Sequence, residues 1–122
     1  MQKSAVGKGR IAEDIALGHV RALGWQVLGT RVRTAAGEID ILARENGVLV
    51  VIEVKARTGT GHGDCLEAVG PAKVRRLLGA ALCWLSATGP RVPARVRVDV
   101  IAVGLCGGVP LWLRHHRDVL GE

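Results

Sequence analysis

Asp40, Glu53 and Lys55 are the residues most able to do chemistry. An acid followed along the chain by Glu-x-Lys can hold a cation and place a water. Asn46-Gly47 lies between them and favours a two-residue type I′ hairpin turn. With that turn Glu45 pairs with Val48, Asp40 falls opposite Glu53, and Glu38 falls opposite Lys55. Side chains alternate along a strand, so these four project from one face. Ile39, Ile41 and Ala43, with Val48, Val50, Ile52 and Val54, then form a core on the other face. Directly opposed carboxylates repel, and a divalent cation would relieve the repulsion. Mg²⁺ or Mn²⁺ suits such oxygen ligands, and Mg²⁺ usually keeps waters and substrate phosphate in its shell. It would activate a water and neutralise charge on a phosphoryl group, with Lys55 orienting that water. The plain alternative is a solvated strand pair in which Glu38 and Lys55 form an ion pair worth little. Spacing leaves both open.

The elements that must position these residues follow from periodicity. Ile11, Ile15, Ala16, Val20 and Leu23 predict a helix over 8–23 that Gly24 stops. Trp25–Arg33 reads as a first strand, Glu38–Arg44 as a second and Val48–Arg57 as a third. Residues 58–70 hold four glycines and read as a mobile loop. Pro71 suits the first turn of a second helix. Its stripe is Val74, Leu77, Leu78, Ala81, Leu82 and Leu85, and Gly89, Pro90 and Pro93 end it. In Arg95–Val103, a fourth strand, Val96, Val98, Val100 and Ala102 alternate with Arg95, Arg97 and Asp99; a short fifth strand is expected over Val109–Leu113. The order α-β-β-β-α-β indicates a single α/β domain over 1–122, a mixed sheet flanked by helices.

Composition narrows the partners. The chain has 122 residues, a net charge of +6, and 17 basic residues, of which 13 are Arg. Arg binds phosphate bidentately, which favours a nucleic-acid partner; biased genomic composition would give the same count. With no Phe or Tyr and only three Trp, aromatic platforms that stack RNA or single-stranded bases are excluded, so DNA is favoured over RNA. The longest uncharged run, 14 residues between Asp99 and Arg114, is shorter than the ~20 a membrane helix needs. No signal peptide is evident, because Glu13 and Asp14 interrupt the N-terminal region. Cys65, Cys83 and Cys106 are odd in number and unpaired in spacing, as in a reduced cytoplasmic protein. Together with His62, His115 and His116 they match no standard zinc spacing.

Further candidates are basic. Lys73, Arg75 and Arg76 begin the second helix, where the helix dipole prefers acids. They are placed for phosphate, or they are a solvated face. Arg57 shares the strand face of Lys55 and could hold a backbone phosphate or be a strand-end surface charge. Glu13 is a third acid near the cation or a partner for Arg10. Asp99 is expected to brace Arg95 or Arg97.

Gly37-Glu38-Ile39-Asp40-Ile41-Leu42-Ala43 followed by Leu49-Val50-Val51-Ile52-Glu53-Val54-Lys55-Ala56-Arg57 resembles the signature of the YraN-like family. These small bacterial proteins are similar to restriction endonucleases and archaeal Holliday junction resolvases. The resemblance runs over nearly the whole chain, through Glu13, Gly63, Glu67-Ala68-Val69, Lys73 and Arg97-x-Asp99-Val100. It implies a restriction-endonuclease-like fold and a metal-dependent nuclease. Asp40 and Glu53 would be the metal-binding acids, Lys55 the lysine of the motif, and Glu13 the assisting helix acid. His62, Trp84 and Val98 stand where the family has an aromatic, Tyr and Phe, outside the proposed metal site. The expected function is therefore cleavage of phosphodiester bonds in repair or recombination, with a non-catalytic DNA- or RNA-binding module as the alternative. Cutting both strands of a junction would favour a homodimer.

Overall fold

The computed structural model describes residues 2–58, 69–88 and 95–119, with side chains from residue 9 onward. Its elements are α1 (Gln2–Ala22), β1 (Gln26–Thr34), β2 (Gly37–Glu45), β3 (Val48–Thr58), α2 (Pro71–Thr88), β4 (Arg95–Cys106) and β5 (Val109–His116). The expected loop over 58–70 falls almost entirely outside the described residues, as do Gly89, Pro90 and Pro93. No described helix is long and apolar enough to cross a membrane.

The architecture is α/β. The five strands lie in sequence order in one mixed sheet, antiparallel except for the central β3–β4 pair. A parallel pair cannot be joined by a tight turn, so the chain crosses over through α2. The two helices cover opposite faces. On one, Ala12, Ala16 and Val20 of α1 are buried against Ile41, Ala43, Val50, Ile52, Ile101, Val103 and Leu105. On the other, Val74, Leu77, Ala80 and Ala81 of α2 are buried against Ile39, Leu42, Leu49, Val51 and Val98.

Covering both faces changes what a strand must look like. β4 is buried without interruption from Arg97 to Leu105, rather than alternating as its sequence suggests, and β3 from Leu49 to Glu53. Central strands of sheets covered on both faces take this form. Asp40, Glu53 and Lys55 are therefore buried or half-buried rather than in open solvent, whereas Glu38 stays exposed. Local signals place the ends well. Gly24 stops α1 at φ +84°, with its N–H donating to the Arg21 carbonyl. In α2 the expected stripe is shifted: Leu82 is 61% exposed, and Ala80 takes the buried place instead.

Candidate functional site

The β2–β3 hairpin forms in the register its turn dictates, from Glu45↔Val48 to Ile41↔Ile52. Asn46, at the first turn position, has φ 55°. One step further the ladder ends. Neither Asp40↔Glu53 nor Glu38↔Lys55 is a backbone pair, and the β1–β2 ladder also omits Asp40, running from Thr30↔Ile41 to Val32↔Ile39. Arg31, the residue of β1 facing this gap, has φ 49°, a conformation a long side chain rarely adopts. The irregularity re-aims the residues around it. Ile41 joins the core under α1, whereas Ile39 joins the core under α2. The expected single face carrying Ile39 and Ile41 together is thus corrected.

Asp40 fills the gap. Its Oδ2 accepts the Val54 N–H at 2.8 Å, replacing a ladder bond with a side-chain bond. Burial pushes the Asp40 carboxyl up to about 6; the Val54 N–H opposes this, while the charges of Glu53, Glu13 and Glu38 add to it. Asp40 also lines a small polar cavity of about 210 Å³ with Arg10, Glu13, Asp14 and Arg31. Glu13 comes from α1 and is held by Arg31 at 2.9 Å, not by Arg10.

Glu53 is only 5% exposed. A carboxylate so buried needs a partner, and it has two. Lys55 Nζ and Lys73 Nζ each lie 3.2 Å from Glu53 Oε2. Lys55 is next but one on the same strand, whereas Lys73 reaches across from α2. The Glu38–Lys55 ion pair of the alternative reading does not form: Glu38 turns outward to Arg33 at 3.4 Å, and Lys55 is on Glu53. Lys73 is more than the surface phosphate contact expected of it. Arg75 and Arg76, its neighbours on the helix, are exposed. Arg57 is half-buried, its guanidinium donating to the Ala56 carbonyl at 3.2 Å.

The donor chemistry fits a hard divalent cation. Asp40 and Glu53 offer carboxylate oxygens within electrostatic range of each other; Oδ2 of Asp40 accepts the Val54 N–H and Oε2 of Glu53 faces two ammonium groups, which leaves the other oxygen of each carboxylate for an ion. The described residues contain no group of three or more His, Cys, Asp or Glu side chains placed to hold a metal, so any such ion would keep water or phosphate in its shell. Cys83 and Cys106 are free thiols, while Cys65 and His62 lie outside the described residues.

A second polar centre surrounds Asp99, of which the sequence suggested only an arginine brace. Asp99, fully buried, accepts from Arg97 Nε at 3.0 Å, Arg97 Nη2 at 3.3 Å and the Asp118 N–H at 2.9 Å, and pairs with His115 Nε2 at 2.8 Å. Burial alone would raise the Asp99 carboxyl; the bonds from His115, Arg97 and Asp118 outweigh it and hold the group below its usual range. His115 Nδ1 meets His19 Nε2 of α1 at 3.0 Å. Arg97 also donates to Glu45 at 2.7 Å, which Arg117 joins at 2.9 Å. Both guanidinium groups sit 5.0 Å from the Trp25 ring centroid. The expectation that Asp99 braces an arginine holds for Arg97; Arg95 pairs with Asp118 instead. The strand pattern offered Arg95 or Arg97 as a partner for Asp99, but not that distant His19, His115 and Glu45 close round it.

The profile described as "Uncharacterised protein family UPF0102" matches residues 12–103, a span that includes Glu13, Asp40, Glu53, Lys55, Lys73 and Asp99. The chain is similar to the UPF0102 protein of Syntrophotalea carbinolica, 46% identical over 95 residues that cover 78% of this chain and 76% of that one. It is 40% identical over 111 residues to the UPF0102 protein of Pseudarthrobacter chlorophenolicus, covering 91% and 83%. It is 40% identical over 113 residues to that of Kineococcus radiotolerans, covering 93% and 91%. With the profile spanning most of the chain and relatives matched over most of their length, the chain belongs to the UPF0102 family.

Proposed function

We propose that this chain is a divalent-metal-dependent nuclease with a restriction-endonuclease-like fold, hydrolysing phosphodiester bonds in DNA during repair or recombination. The observation that carries the reading is the interrupted ladder at Asp40. It sets one carboxylate against Val54 of β3, within electrostatic range of Glu53, with Lys55 on Glu53. Asp40 and Glu53 would hold Mg²⁺ or Mn²⁺. When bound, that ion supplies a polarised water and neutralises charge on the phosphoryl oxygens. Lys55 is positioned to orient a water or a phosphoryl oxygen near Glu53. Glu13, tied to Arg31, faces Asp40 from α1 and adds negative charge that favours a cation. Arg75 and Arg76, exposed at the start of α2, and Arg57 at the end of β3 supply phosphate contacts. Cutting two strands would call for a twofold dimer.

The second reading is a non-catalytic DNA- or RNA-binding module. It is favoured by the absence of a third metal-capable side chain among the described residues and by the two ammonium groups already on Glu53. Nuclease assays on branched, nicked and single-stranded substrates with Mg²⁺ or Mn²⁺ decide between them, with Glu53→Ala as control. Cleavage that Glu53→Ala removes supports the nuclease. Binding without cleavage on every substrate leaves the module.

A further inference from the structure

Lys73 is the side chain whose place in the site its sequence position did not reveal. Its ammonium and that of Lys55 converge at 3.2 Å on the same oxygen, Glu53 Oε2. One carboxylate thus carries two counter-charges. A divalent cation approaching Glu53 Oε2 meets these two ammonium groups first, and each repels it at short range.

The two lysines are not equivalent. Lys55 is fixed to the strand that carries Glu53, and its side chain is 22% exposed. Lys73 arrives from the first turn of α2, and its side chain is 34% exposed. Its four-carbon stem can swing the ammonium from Glu53 to solvent by rotamer change alone. The anion it would meet there is foreseeable: Arg75 and Arg76 stand exposed within three residues of it, and the three cations together suit a phosphodiester backbone.

We propose that Lys73 is an exchangeable counter-charge that couples cation binding to phosphate binding at this site. Without nucleic acid it rests on Glu53 and opposes the cation. When a phosphate docks at the start of α2, the ammonium moves to it and Glu53 becomes free for the metal. Each ligand then strengthens the other, and by linkage the factor is the same in both directions. The inference rests on the Asp40–Glu53 cation reading and adds its regulation, so that metal is taken up where a phosphate backbone is present.

The test is calorimetric titration of Mn²⁺ into the full chain without nucleic acid, for wild type, Lys73→Met, Lys73→Arg and Arg21→Met. Removing a positive charge a few ångströms from the cation should tighten Mn²⁺ binding roughly tenfold in Lys73→Met. Lys73→Arg, which keeps the charge, and Arg21→Met, which removes an exposed one from the last turn of α1, should stay near wild type. In a second measurement, Ca²⁺ should raise the affinity of wild type for a short fluorescent DNA duplex, and by a smaller factor in Lys73→Met. Mn²⁺ binding by wild type that is no weaker than in Lys73→Met overturns the coupling while leaving the cation site standing. Equal tightening in Arg21→Met also overturns it, since that effect would be general charge. No Mn²⁺ binding in any variant overturns both the coupling and the cation reading beneath it.

Discussion

Asp99→Ala should be among the most destabilising substitutions in this protein, for a reason unconnected with the candidate metal site. The carboxylate has no solvent exposure, and four donors converge on it: two from Arg97, one from His115 and one from the Asp118 backbone. Removing it strands Arg97, whose side chain is 10% exposed, with only Glu45 as charged partner. Breaking a buried pair by deleting one member costs ~3–5 kcal/mol, because the remaining charge stays out of water. A domain is stable by only ~5–15 kcal/mol, so the loss is roughly a fifth or more of the total. For a chain of this length that is a fall in Tm of roughly 10–20 °C. Urea denaturation followed by circular dichroism measures it, with an unchanged m-value marking an effect on the native state. The double variant Asp99→Ala/Arg97→Met should recover part of the loss, since no unpaired buried charge then remains. A single-variant loss below ~1 kcal/mol would refute the claim that this network is buried and paired.

Three further outcomes are expected. Burial, then the neighbouring His115, lowers the His19 imidazole below its usual 6.5, so its stabilising contribution is complete above pH 6.5 and is lost as pH falls below it; urea titrations from pH 7.5 to 5 should show this decline, and His19→Gln should flatten it. Asp40 has the opposite sign: with its carboxyl raised to about 6, its contribution is complete below the ordinary value of 3.8 and is lost as pH rises through 6. Asp40→Asn should therefore stabilise the metal-free protein at pH 8 by up to ~2 kcal/mol, and by little near pH 4, while abolishing any rise in Tm on adding Mg²⁺; an equal gain at both pH values would remove the electrostatic explanation. Arg75→Ala/Arg76→Ala should weaken DNA binding and reduce the salt slope by roughly 2 if both touch phosphate, and an unchanged slope in a fluorescence titration would show a merely solvated face.

Much of this protein is set by interactions between near neighbours, and those were legible in the chain. Gly24 and Pro71 delimit helices, and Asn46-Gly47 dictates the hairpin register between Ile41–Glu45 and Val48–Ile52. That register brings Asp40 to the end of the paired ladder near Glu53 and puts Lys55 beside Glu53. Each signal is a backbone preference or a periodicity that acts over a few residues. The rest depends on groups far apart in sequence. Whether the sheet has one covered face or two is decided by α1 and α2 packing on opposite sides, and this turns apparent alternation in β4 into continuous burial. Ile39 and Ile41 part company because Arg31 of a neighbouring strand leaves the regular conformation opposite Asp40. Lys73 reads as a phosphate contact or a solvated helix charge until the α2 crossover delivers it to Glu53, 20 residues earlier. Asp99, His115 and His19 share no local pattern, and only the closing of β4, β5 and α1 round one another buries them together. Burial is what gives those contacts their energy: a charge in water tolerates almost any neighbour, whereas a buried one must be paired, and which charges are buried is a property of the whole packed chain.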